Sequence, residues 1–147
     1  MFIWPVSIPR KEAPMASNKQ LGTTFEEEFG WFLARNGFWV HLLTQNAAGQ
    51  PADIIAVKDG KALLIDCKVC EKDLFRMERI EENQWTSMEL WRRCGNGEGW
   101  FALKTSDGGV FMFSLEEMER RSLFSWVLSH KNILSGEPAE AWVKRWK

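Results

Sequence analysis

The segment 61–69, Lys-Ala-Leu-Leu-Ile-Asp-Cys-Lys-Val, constrains this chain more than any other stretch. Its alternation is that of a β-strand, in which neighbouring side chains point to opposite faces. Leu63, Ile65, Cys67 and Val69 fall on one face, and all are apolar. Leu64, Asp66 and Lys68 fall on the other, so a carboxylate and an amine share a face two residues apart. A buried strand seldom carries charge without a reason. From the strand alone, a solvated edge, a structural ion pair and a functional site all remain open.

The preceding strand narrows the choice. Residues 52–58 read as a strand that meets 61–69 through an Asp59-Gly60 hairpin turn. A two-residue turn pairs Lys58 with Lys61, and counting outward sets Asp53 across from Asp66. Facing carboxylates on neighbouring strands repel one another, and a cation between them relieves the repulsion. Oxygen ligands on a rigid sheet, with positions left for water and phosphate oxygens, suit Mg²⁺ or Mn²⁺.

The rest of the chain supplies helices for this sheet. Thr23 or Thr24 is the expected N-cap of a first helix, with Glu26, Glu27 and Glu28 in its first turn. Phe25, Phe29, Phe32 and Leu33 form its apolar stripe, and Asn36-Gly37 ends it. Residues 38–44 read as a strand and 45–51 as a polar loop. A second amphipathic helix is expected from about residue 79 to 93, burying Ile80, Trp85, Met88 and Trp91, with a break at Asn96-Gly97. Residues 99–105 and 110–114 form a second hairpin around Asp107-Gly108-Gly109, and Ser114-Leu115-Glu116-Glu117 resembles a capping box.

The order α-β-β-β-α-β-β-α predicts an α/β fold, a central mixed sheet flanked by helices. Three of the five prolines lie in residues 1–20, which read as a flexible arm; Met15 is an alternative start. Residues 21–122 are the expected domain, and 123–147 a C-terminal helical extension.

A length of 147 residues fits one core, and a net charge of −1 excludes a general nucleic-acid coating protein. It does not exclude an enzyme that gathers carboxylates around a metal. Three cysteines without a secretory signal read as free thiols of a soluble, cytoplasmic protein, with no membrane partner. Cys67-Lys68-Val69-Cys70 invites a zinc reading. Residues three apart on a strand point to opposite faces, however, and too few soft ligands remain to complete four. His41 and His130 read as surface or packing residues. Nine Trp and ten Phe leave some rings for an interface.

Gln50-Pro51-Ala52-Asp53, twelve intervening residues and then Asp66-Cys67-Lys68 resemble the P-D…(D/E)-x-K motif of the restriction-endonuclease-like nuclease superfamily, with Ala52 as a departure. Gly22-Thr23-Thr24-Phe25-Glu26 is similar to the Gly-x-x-x-Glu that opens the first helix of its Holliday-junction resolvases. Gln84 matches a Gln often found on the helix after the active-site strands. The likeness spans roughly residues 20–115.

The resemblance implies a Mg²⁺- or Mn²⁺-dependent endonuclease that hydrolyses DNA phosphodiesters, with a Holliday-junction resolvase first. A restriction-, repair- or phage-type nuclease, acting in the host-cell cytoplasm if phage-encoded, stays open, as does an inactive DNA-binding module. Asp53, Asp66 and the backbone carbonyl of Cys67 are the implied metal ligands, with Glu26 added directly or through water. Lys68 orients the attacking water and stabilises charge, and Gln84 positions the water or Lys68. Arg76, Arg79, Arg92, Arg93 and Lys104 are candidate phosphate contacts, against the alternative of a solvated helix face. A four-way junction needs two incisions, which implies a homodimer.

Overall fold

The computed structural model describes residues 18–43 and 50–146, so most of the expected arm and most of the 45–51 loop lie outside the described residues. Helix α1 (Asn18–Arg35) leads into strands β1 (Trp39–Leu42), β2 (Ile54–Lys58) and β3 (Lys61–Val69). A short strand β4 (Phe75–Arg76) and a 3-10 turn (Met77–Arg79) precede helix α2 (Glu82–Trp91), which runs into a π turn (Arg92–Asn96). Strands β5 (Gly99–Lys104) and β6 (Val110–Ser114) and helix α3 (Leu115–Ser122) follow. The chain closes with β7 (Val127–Leu128), α4 (His130–Leu134), β8 (Glu137–Pro138) and α5 (Ala139–Val143).

The central hairpin forms as expected. Lys58 pairs with Lys61, and Asp59 and Gly60 take φ of 49° and 79°, the two left-handed residues that a type I′ turn requires. The main sheet runs β1-β2-β3-β5-β6-β8. Its β3–β5 pair is parallel and its other pairs are antiparallel, so the sheet is mixed. Parallel neighbours cannot be joined by a tight turn. The crossover through β4 and α2 covers one face, where Leu64, Phe101, Leu103, Phe113 and Met88 pack with Leu115 and Met118 of α3. Helices α1 and α5 cover the other, with Phe25, Phe29, Leu33, Trp142 and Val143 against Ile54, Ile65 and Trp100.

Several boundaries differ from expectation. Helix α1 starts before Thr23 and Thr24, so neither is its N-cap and its first turn carries no acid. Between Asn18 and Thr24 the worst helix former is Gly22, and an interior glycine costs only about 1 kcal/mol, too little to stop the helix. The second helix is shorter than 79–93: Arg79 belongs to the 3-10 turn, and the far end widens into a π turn that stops at Gly95, whose φ is +86°. Ser114 does cap α3, accepting a hydrogen bond from the Glu117 amide at 3.1 Å. Segment 123–147 is only partly helical, because it also contributes β7 and the sixth strand of the main sheet, β8.

Trp142 is fully buried, and its ring lies 5.4 Å from that of Trp100, 5.7 Å from Trp146 and 6.5 Å from Phe29. It ties α5 to α1 and to the sheet. Truncating a ring of this size leaves a cavity that packed neighbours only partly close. Trp142→Ala should lower the unfolding free energy by about 3–5 kcal/mol in a urea titration. A loss under about 1 kcal/mol would show that α5 lies outside the cooperative core.

Candidate active site

Strand β2 begins one residue after Asp53, and the chain leaves the regular ladder there. The Asp53 amide donates to the Ile65 carbonyl at 3.0 Å, and its carbonyl accepts from the Leu43 amide at 2.8 Å. The main chain is therefore pinned on both sides. The side chain turns back into the sheet, and Oδ2 accepts a hydrogen bond from the Cys67 amide at 2.7 Å. Simple counting sets Asp53 opposite Asp66, whereas the structure gives its carboxylate the ladder position facing Cys67. A strand residue sends its N–H and C=O to the same edge, so the Cys67 carbonyl shares the Asp53 side.

Asp66 lies on β3 with no exposed surface. Gln84, from the first turn of α2, donates through Nε2 to Asp66 Oδ1 at 3.1 Å. Its Oε1 accepts from the Lys68 ammonium at 3.2 Å and from the Glu81 amide at 3.0 Å. The second bond is half of the capping box that starts α2, so one side chain caps the helix and holds the site. Lys68 Nζ also stands 3.2 Å from Asp66 Oδ2, an ion pair without hydrogen-bond alignment, which leaves Oδ2 buried and lacking an aligned donor.

Glu26 approaches from α1, half-buried, with its carboxyl next to that of Asp53. Asp53 in turn reaches Asp66. The three acids form a chain instead of a closed cage, and among the described residues no three His, Cys, Asp or Glu side chains yet converge as a metal cluster. Burial raises Asp66 to about 8, helped by the charge of Asp53 and opposed by Lys68. Burial first and then Glu26 raise Asp53 to about 6. Burial also raises Glu26 and pushes the Cys67 thiol well up, which keeps that thiol neutral.

Three carboxyls drawn together where burial disfavours their charged forms, beside a buried carboxylate oxygen without an aligned donor, fit a divalent cation. Hard oxygen donors from Asp53, Asp66, Glu26 and the Cys67 carbonyl match Mg²⁺ or Mn²⁺. The alternative zinc reading does not fit. Cys67 and Cys70 are free and belong to the cores on opposite faces of the sheet, and Cys94 is exposed.

Most of the candidate basic residues are engaged by local partners. Arg92 pairs with Glu89, Glu98 and Glu119, and Arg93 pairs with Glu89 at 3.0 Å. Lys104 pairs with Glu28 at 3.0 Å and sits over the Phe25 ring. Arg79 lies over Phe75 and donates to the Val69 carbonyl at 2.8 Å, at the end of β3. Arg76 is exposed on β4. His41 is exposed and stacks on Trp39, and His130 is exposed at the start of α4.

One buried polar residue carried no functional weight in the sequence. Gln50 is 8% exposed, its Nε2 donates to Asp53 Oδ1, and its Oε1 has no partner among the described residues. A glutamine at the end of a polar loop is an unremarkable residue type, and only the fold shows it turned inward.

The archaeal Holliday junction resolvase (hjc) family matches residues 17–145. Among solved structures, the chain is similar to Archaeoglobus fulgidus Hjc, a Holliday junction resolvase from an archaeal hyperthermophile, with 18% identity and a TM-score of 0.63. That match covers 84% of this chain and 96% of the other, and at this identity it shows a shared fold. No curated protein is significantly similar in sequence.

The raised carboxyls have a measurable consequence for the metal-free protein. Unfolded aspartates titrate near 3.8, whereas the folded values are about 6 and about 8. Between these limits the folded state holds more protons than the unfolded chain, so unfolding free energy falls as pH rises. Each group contributes a slope of up to about 1.4 kcal/mol per pH unit. Urea titrations in EDTA from pH 4.5 to 8.5 should trace this decline. Asp66→Asn should flatten its upper part and melt above the wild type at pH 8. A wild-type stability that is level across the range would contradict the crowded carboxyl chain.

Proposed function

The chain belongs to the archaeal Holliday junction resolvase family, a nuclease family acting on branched DNA, and from that membership we propose a divalent-metal-dependent endonuclease that cuts four-way junctions through Asp53, Asp66, Lys68, Glu26 and Gln84. The observation that carries this reading is the Asp66–Lys68–Gln84 cluster. A buried carboxylate, an ammonium 3.2 Å away and an amide bonded to both are a costly arrangement for a sheet interior.

Each residue has a distinct task. Asp53, Asp66 and the Cys67 carbonyl hold the cation, and Glu26 adds an oxygen from α1. When bound, a divalent cation lowers the pKa of water and draws charge from a phosphate. Lys68 orients the attacking water and stabilises the negative charge that grows on the phosphate oxygens in the transition state. Gln84 keeps the ammonium turned into the cleft, since its Oε1 holds Lys68 while its Nε2 is anchored on Asp66. His41 and His130, both exposed, have no role in this reading.

We also propose that two copies act together, because a symmetric junction presents two scissile strands and a two-fold dimer presents two matched sites. Leu123, Phe124 and Trp126 form an exposed apolar turn that favours such pairing. Cleavage should be measured on labelled four-way junction, linear duplex and single-stranded DNA with Mg²⁺, Mn²⁺ or EDTA. Junction DNA should be cut in preference, with no product in EDTA. Asp66→Ala should abolish cutting while retaining junction binding in a gel-shift assay, and Lys68→Ala should slow cutting by about 10²–10³-fold. Equal cutting of linear duplex would point to another nuclease of this fold, and cutting in EDTA would overturn the metal requirement. Sedimentation should give the mass of a dimer.

A further inference from the structure

We propose that Gln50 is a positioning residue for metal capture, fixing the Asp53 carboxylate through its amide nitrogen while its amide oxygen waits for a water in the cleft. This rests on the metal site described above and concerns a side chain outside the carboxylate, lysine and Gln84 set.

The main chain of Asp53 is held by Ile65 and Leu43, but a carboxylate can still rotate about its own bonds. Two hydrogen bonds fix it: the Cys67 amide binds Oδ2, and Gln50 Nε2 binds Oδ1. Each carboxylate oxygen thus has one donor, and Glu26 and Asp66 are the neighbouring acids. An unbound Asp53 would pay rotamer entropy on taking up a cation, and Gln50 removes that cost beforehand.

Gln50 is itself anchored. Asn83, beside Gln84 in the first turn of α2, donates through Nδ2 to the Gln50 carbonyl at 3.3 Å. One turn of one helix therefore braces both sides of the cleft, Asp66 and Lys68 through Gln84 and the Asp53 side through Asn83. The other end of the amide carries the second observation. Gln50 is more than nine-tenths buried, yet among the described residues Oε1 accepts no hydrogen bond, and leaving a buried acceptor unpaired costs about 1–3 kcal/mol. A glutamine present only for packing would be better replaced by an apolar residue. An ordered water bound beside these polar groups would satisfy this oxygen.

The test uses Mn²⁺ alone with the full, DNA-free chain. Gln50→Met keeps the length and volume of the side chain and removes both hydrogen-bonding groups. Calorimetric titration should show Mn²⁺ dissociation constants raised about 10–100-fold relative to wild type, with melting in EDTA unchanged. Junction cleavage by Gln50→Met should recover toward the wild-type rate as Mn²⁺ approaches saturation, a shift that a packing role would not produce. Gln50→Asn, which keeps the amide but shortens its reach, should also weaken Mn²⁺ binding and serves if the methionine variant does not fold. Unchanged Mn²⁺ affinity in a folded Gln50 variant, beside a wild type whose binding is lost in Asp66→Ala, would overturn this proposal alone. A wild type that binds no Mn²⁺ would overturn the metal site and this proposal with it.

Discussion

The Cys67 amide on β3 gives its hydrogen bond to the side chain of Asp53, where farther along the same strand such amides meet the backbone of β2. Much of the site depends on that exchange. It places a carboxylate in the plane of the sheet instead of above or below it, so Asp53 touches an acid from α1 on one side and Asp66 on the other. The exchange is possible because the chain departs from the ladder at the residue before β2. A continued strand would have filled the position with its own carbonyl and sent Asp53 elsewhere.

The second dependence is topological. Because β3 and β5 are parallel, the chain must cross the sheet between them, and α2 is the element that makes the crossing. Its N-terminal turn lands over the charged positions of β3, and Gln84 meets Asp66 and Lys68 there. Gln84 also closes the capping box of α2. The polar cluster and the start of the helix therefore share an amide group, and loss of this side chain affects both.

The central hairpin was legible because two independent signals agreed. Alternation assigned Asp66 and Lys68 to one face, and the Asp59-Gly60 turn set the pairing of the two strands. Glu26 was reachable through a family resemblance, though the start of its helix was misread, because threonine at a plausible cap cannot be told from threonine inside a longer helix. Short strands such as β4, β7 and β8 were invisible, since two residues contain no periodicity. Charge clusters were legible only as composition, not as pairings. Arg92 and Arg93 stand near one another in sequence, but their local carboxylates claim them. Gln50 needed the fold itself, because burial of a loop residue depends on what passes over it.

The lone parallel pair also bears on how the molecule assembles. The β2–β3 and β5–β6 hairpins close over a few residues, and loop closure of that kind is cheap and fast. Joining β3 to β5 encloses the whole crossover from Val69 to Gly99, a contact of much longer range. Asp53 and Asp66 thus meet within a hairpin that local contacts favour early, while Gln84 arrives only when the two hairpins dock. The buried carboxylates thus come together before the amide that joins Asp66 to Lys68.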